Sequence, residues 1–449
     1  MRHAAQLQAT IELLDEIAET KYPADRIMSS YFKQHRYIGS KDKAAISENL
    51  YTILRNRMRF EYILKSKDLG VHSRVLVALL LKMDDGDLYE TFDGDKYSPK
   101  RLRPGQLERF AELDLTVIDQ APLHVKLNVP EWILPMLENA LGDRFEQEMT
   151  ATNAMATTDV RVNTLKSSVA AVEQAFADVG YIAHKTDLSP WAIRFEKRVS
   201  LFGLPAFKQG WFEIQDEGSQ LLALLTDAKS GQKIVDFCAG AGGKTIAMAA
   251  MMDNKGTIYA CDVHTKRLEQ LAKRTKRAGV HNVRTHILSS ENDKWVKKHA
   301  GYADTVLIDA PCTGTGTWRR SPDSRWNLTQ QSVDNLVALQ QSILQSAKRL
   351  VKPGGRLLYA TCSMLEEENE QQVLRFLGNN PEFSAAKFDI PESLAAHPER
   401  FVNNGHEIRT FPAMTGTDGF YVASLVRELK LEDNEDKGAK EKQSEVAES

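Results

Sequence analysis

From Gly231 onward, short apolar runs alternate with amphipathic stretches, and this alternation limits the possible folds more than any other feature. The runs Lys233–Phe237, Thr257–Cys261, Val283–Leu288, Thr305–Ile308 and Arg356–Ala360 read as strands. Gly243–Met252, Thr265–Gly279 and 328–350 read as helices between them. Strands joined through helices run parallel, because only such a crossover brings the chain back to the same edge of the sheet. The expected architecture is α/β, a mostly parallel, doubly wound sheet, closed by one further strand over 419–426. Ligands of such sheets gather outside the carboxyl ends of the strands.

The upstream half has another texture. Leu7, Ile11, Leu14 and Ile17, then Ile46, Leu50, Ile53 and Leu54, recur at helical spacing. Gly39 breaks the chain before the second set, and Ser40 reads as its N-cap. A helix is expected at Ile133–Leu141. A strand at Val160–Asn163, a helix at 168–179 and strand-like alternation over 192–202 then make a small α+β module. A chain of 449 residues exceeds one simple core. The expected units are a helical domain with linker (1–150), the α+β module (151–220), the sheet domain (221–428) and a tail (429–449).

Lys430–Ser449 carries four Lys against seven Asp or Glu and no aromatic residue, so the tail should be disordered. Its charge accounts for the chain's net −3 and leaves the body near neutral. No window approaches the ~18 consecutive apolar residues of a membrane span, and the N-terminus lacks the apolar core of a secretory signal. The four cysteines include no Cys-x-x-Cys pair and the eleven histidines show no ligand spacing. A disulfide framework and a metal site are therefore not expected, and a reducing, cytoplasmic setting is.

Two cysteines stand at matching places, each where an apolar strand opens into a loop: Cys312 in Asp309-Ala310-Pro311-Cys312, and Cys362 in Ala360-Thr361-Cys362-Ser363. Loops leaving neighbouring strands, ~4.8 Å apart, can bring side chains within roughly 5–10 Å of each other. After the first strand comes Cys238-Ala239-Gly240-Ala241-Gly242-Gly243-Lys244-Thr245. A P-loop would need glycine at 238, where this chain has Cys, and the dinucleotide pattern fails because Thr245 follows Gly240, Gly242 and Gly243. What fits is a smaller adenosine ligand, with Asp262 placed to bind both ribose hydroxyls or to cap the helix at 265. That is the layout of a class I S-adenosylmethionine (SAM) methyltransferase. Cys238 and Cys261, at strand ends, read mainly as small buried groups. The basic cluster 273–277 reads either as a solvated helix face or as a nucleic-acid contact. Arg319, Arg320 and Arg325 interleave with Trp318 and Trp326, a pattern suited to phosphates and unstacked bases.

Taken in order, these motifs resemble the RNA cytosine-5 methyltransferases of the Sun/Nop (RsmB-like) family. The likeness rests on 238–245, on Asp309–Gly314, on Ala360–Ser363 and on Asp418-Gly419-Phe420-Tyr421, preceded by Arg161–Lys166 and Gln215–Gln220, and runs from about 155 to 427. Ser40-Lys41-Asp42-Lys43-Ala44, with Leu50-Tyr51 and Leu54-Arg55, is similar to the NusB-like helical domain of RsmB-type enzymes. The resemblance implies SAM as cofactor, Cys362 as nucleophile and Cys312 as the residue assisting product release. It also implies an RNA partner, ribosomal RNA ahead of transfer RNA, for a chain expected to be monomeric. SAM contacts are expected from Cys238–Lys244, Asp262 and Asp309, and RNA contacts from Asp309, Lys244, Arg319 and Arg320. The family often has an acid after the third strand; here 288–293 offers Glu291, Asp293 or a serine.

Overall fold

The computed structural model describes residues 1–20, 22–197 and 199–429; the tail expected over 430–449 lies outside them. The N-terminal part is helical, with helices at His3–Glu19, Ala24–Gln34, Ser40–Arg55, Arg57–Lys65 and Ser73–Met83. Leu13, Ile46, Leu50, Leu64, Val77 and Leu79, all fully buried, form its core. Ser40 does not cap its helix. It is the first helical residue, Gly39 takes the N-cap, and no side chain bonds there. Asp42 in that first turn instead accepts Gln6 Nε2 (2.8 Å) and faces the positive end of the helix.

A four-stranded antiparallel sheet follows, in the order β2-β3-β1-β4: β1 Thr158–Val162, β2 His184–Lys185, β3 Ala192–Phe195 and β4 Phe212–Ile214. The strand-like alternation of 192–202 yields only β3. Phe195 already pairs with Thr158, the first residue of β1, so the later residues meet no partner strand.

The large sheet has nine strands: β5 Lys233–Asp236, β6 Thr257–Asp262, β7 Val283–Ile287, β8 Ala303–Asp309, β9 Val351–Thr361, β10 Phe383–Ala385, β11 Val402–Asn403, β12 Glu407–Thr410 and β13 Phe420–Arg427. Their order is β11-β12-β13-β9-β8-β5-β6-β7, with β10 beside β13. The strands β9-β8-β5-β6-β7 are parallel throughout, and β13 pairs antiparallel with β9. Val235, Val306, Ile308, Leu357 and Tyr359 bury one face and Ile234, Leu307, Leu358 and Ala360 the other. Burial on both faces explains the unbroken apolar runs. Order reverses between β5 and β8, which opens a crevice at their carboxyl ends. Among the described residues no helix is long and apolar enough to cross a membrane.

Candidate active site

A cavity of about 570 Å³ lies at that reversal. The turn after β5 lines it with Cys238, Ala239, Gly240, Ala241, Gly243 and Lys244; Asp262, Asp309, Cys312 and Cys362 complete the wall. Of the loop's three glycines, Gly242 is the one that does not line the cavity. It adopts φ +81°, and a Cβ there would lie 2.5 Å from Leu271. Asp262, at the end of β6, accepts Gly240 N (2.9 Å) and His264 N (2.7 Å), so its carboxylate shapes the turn rather than capping the helix.

The two thiols meet. Cys312 Sγ and Cys362 Sγ are 3.3 Å apart, because Asp309 and Ala360 are in register and both chains leave the sheet side by side. Gly316 N donates to Cys362 O (3.0 Å) and Gly419 N to Gly316 O (2.9 Å), stitching the two loops to the turn before β13. Its hydrogen bond to Cys362, then burial, hold the Cys312 thiol well above its usual range. Cys312 therefore keeps its proton and can donate it to Cys362 Sγ. Lys244 Nζ donates to Asp309 Oδ2 (2.6 Å). Burial alone would lower this lysine, but the Asp309 charge and hydrogen bond outweigh it, and Lys244 stays cationic beside the thiols. Its side chain is largely buried. Burial also raises Cys238 well above the usual thiol range, and Cys261 lies fully in the core.

Sequence reasoning passed over Asp236. This carboxyl ends β5, lines the cavity and is buried; its Oδ2 accepts Thr245 Oγ1 (2.6 Å) while Oδ1 has no partner among the described residues. Burial pushes it up to about 7. The signal was an acid at the last position of the first strand. Two acids, one with an unpartnered oxygen, beside the apolar Leu288 and Ile343 suit a ligand that joins a cationic centre to a ribose and a flat base. Glu291 lines the same cavity, whereas Asp293 is engaged with Ser289 and Trp295 N.

The 318–326 loop corrects an expectation. Trp318 and Arg325 are fully buried, and Arg319 is buried. Arg319 Nε donates to Asp418 Oδ1 (2.7 Å), Arg320 Nε to Asp418 Oδ2 (2.8 Å) and Arg320 Nη2 to Asp216 Oδ2 (2.9 Å). Arg325 donates to Asn128 O (2.7 Å) and lies 4.4 Å from the Trp318 ring. These guanidiniums are spent on internal carboxylates and carbonyls, so Arg319 and Arg325 are not available to phosphates, and Arg320, though partly exposed, has a partner on each guanidinium nitrogen. In the basic cluster, Arg274 and Arg277 pair with Glu213, and Arg274 Nη1 also donates to Ala241 O of the glycine loop (2.8 Å).

The comparisons with known proteins agree with this geometry. A model described as 16S rRNA methyltransferase RsmB/F matches residues 223–426, and an RsmF/B-like ferredoxin-like domain matches 129–201. The ribosomal RNA small subunit methyltransferase B of Pasteurella multocida is 33% identical over 324 residues, 72% of this chain and 70% of that protein. The chain belongs to the RsmB/F methyltransferase family. The Erwinia tasmaniensis protein of the same name is 29% identical over 87% of this chain and 92% of its own. The crystal structure of PH0851 is 28% identical, with TM-score 0.77, over 95% of this chain and 99% of that one. An RsmB/F methyltransferase takes its methyl group from SAM, and the cavity's two acids and apolar walls accommodate that cofactor.

Proposed function

We propose that this methyltransferase methylates carbon 5 of a cytosine in small-subunit ribosomal RNA, through a covalent bond from Cys362 to carbon 6. The observation that carries this reading is the 3.3 Å thiol pair inside the cofactor cavity. A methylase acting on an oxygen or nitrogen needs no thiol, whereas carbon 5 of cytosine is too poor a nucleophile without one. The choice of RNA rests on the relatives' names.

The glycine loop, with Asp262 on the ribose and Asp236 facing the cationic end, would hold SAM, which supplies an electrophilic methyl group when bound. The Cys362 thiolate adds to carbon 6, and the electron pair of the 5,6 double bond makes carbon 5 nucleophilic. Asp309 hydrogen-bonds the amidine edge of the base, and Lys244 offsets the negative charge of thiolate and carboxylate. After methylation a base removes the carbon-5 proton, the 5,6 double bond re-forms and Cys362 leaves as thiolate, accepting the S–H of Cys312. The target base must be unpaired or flipped out to reach the thiols. The module at 151–220 is the candidate grip on flanking RNA, and the N-terminal helices widen it.

Labelled-methyl transfer from SAM to RNA, followed by bisulfite sequencing, tests the reading. Wild type should label a cytosine at carbon 5 and Cys362→Ala should not; equal incorporation by both sinks the assignment. Cys312→Ala should accumulate a protein–RNA adduct on a denaturing gel, and absence of the shifted band counts against its role in release.

A further inference from the structure

Cys312 is held from both sides by a buried pair of side chains on other elements. Gln340, on the helix Gln330–Ala347, donates from Nε2 to Pro311 O and to Glu368 Oε1, each at 2.9 Å. Glu368 accepts Thr313 N at Oε1 (2.9 Å) and Thr313 Oγ1 at Oε2 (2.5 Å). The residues before and after Cys312 thus both end on this pair. Glu368 and Gln340 are fully buried, and no ion pair serves Glu368 among the described residues. A carboxylate buried without a cation costs stability that a neutral amide of the same shape would not. The tether alone does not explain why the residue is an acid.

We infer that Glu368 is a positioning residue: it fixes Cys312 beside Cys362 and, through its negative charge, keeps the proton on Cys312. Which thiol attacks is then set by electrostatics, not by access, since both line one cavity. This rests on Cys362 being the nucleophile. The groups facing Cys312 are Cys362, Glu368 and Tyr359, with the Lys244–Asp309 pair near Cys362. Tyr359, whose hydroxyl donates to Glu368 O (2.6 Å), is itself pushed far up by burial and stays neutral. Among the described residues Glu368 is the carboxylate whose charge acts on the Cys312 thiol, adding to the Cys362 hydrogen bond and to burial in holding that thiol protonated.

Alkylation of Cys312 by iodoacetamide, read by mass spectrometry of its peptide in the free protein, tests this without RNA. A Cys362→Ala background removes the neighbouring thiol. At about pH 9 the alkylation rate follows the thiolate fraction, about tenfold for each unit of pKa. Glu368→Gln should raise the rate at Cys312 by about tenfold, while Glu368→Asp, which keeps the charge, should leave it within about twofold of the parent. Equal rates in all three proteins overturn the inference. So does equal acceleration by both substitutions, because loosening alone would then account for it. Should Glu368→Gln not fold, Thr313→Val decides, because it cuts one tether and keeps the charge. With Cys362 present, its kcat should fall about tenfold with KM for SAM unchanged; an unaltered kcat overturns the inference. The alkylation outcome does not depend on whether carbon 5 of cytosine is the target.

Discussion

Asp236 makes the cofactor site sensitive to pH in two opposite ways. Its folded value of about 7 lies above that of a free carboxyl, ~3.9. Between those values the folded protein holds a proton that the unfolded chain has released. Stability linked to this group is therefore full below about pH 4 and lost as pH rises through 7. Asp236→Asn should remove that loss, so its Tm should fall less than that of wild type between about pH 5 and 8. A cation facing the carboxyl favours the ionised form and works the other way. Affinity for SAM should rise about tenfold from about pH 6 to 8 in wild type and stay flat in Asp236→Asn. Calorimetric titration checks this; parallel pH dependence in both proteins would remove Asp236 from the site.

At the scale of elements, the loop after Cys312 is a clamp. Arg319 and Arg320 bind Asp418, which precedes β13, and Asp216, which follows β4, so the loop locks the small sheet to the large one. Burial and the Asp418 charge raise Asp216 although Arg320 and Arg319 pull it down, the mark of two carboxylates crowded together in a buried site. Arg319→Ala leaves Arg320 alone to balance the two buried carboxylates and should cost about 3 kcal/mol. Thermal melts should show that loss, while RNA affinity, measured where the variant is folded, should hold. Lost affinity with unchanged Tm would restore the arginine to the RNA surface. Sequence made the central strands legible because parallel strands buried on both faces are continuous apolar runs. It placed the two cysteines for the same reason, since each lies within four residues of the end of its run. It misread the clamp because an arginine–tryptophan loop looks the same whether it meets phosphate or a carboxylate. The deciding partners stand 99 and 104 positions away.

Across the whole molecule, the same segment joins the helical N-terminal part to the sheet domain. Trp326 Nε1 donates to Leu54 O (2.8 Å), and Ala24 N donates to Asp323 Oδ2 (2.9 Å). Trp318, Met364 and Phe411 pack in one core with Leu127, Ile133 and Leu137. The N-terminal helices are therefore part of the scaffold that shapes the active-site loops. Trp326→Ala, at a half-buried site, should cost about 2 kcal/mol and lower Tm by about 4–8 °C. It should also slow methyl transfer, and an unchanged melt would mean that the two parts are independent. Nothing in a local window reports such contacts, which join residues 272 and 299 positions apart. The division of labour between the thiols remains the point on which everything else turns. The adduct that Cys312→Ala is expected to trap can be digested and its RNA-linked peptide identified by mass spectrometry. The RNA should be attached to Cys362, and Cys362→Ala should form no adduct; RNA attached to any other residue would contradict the mechanism.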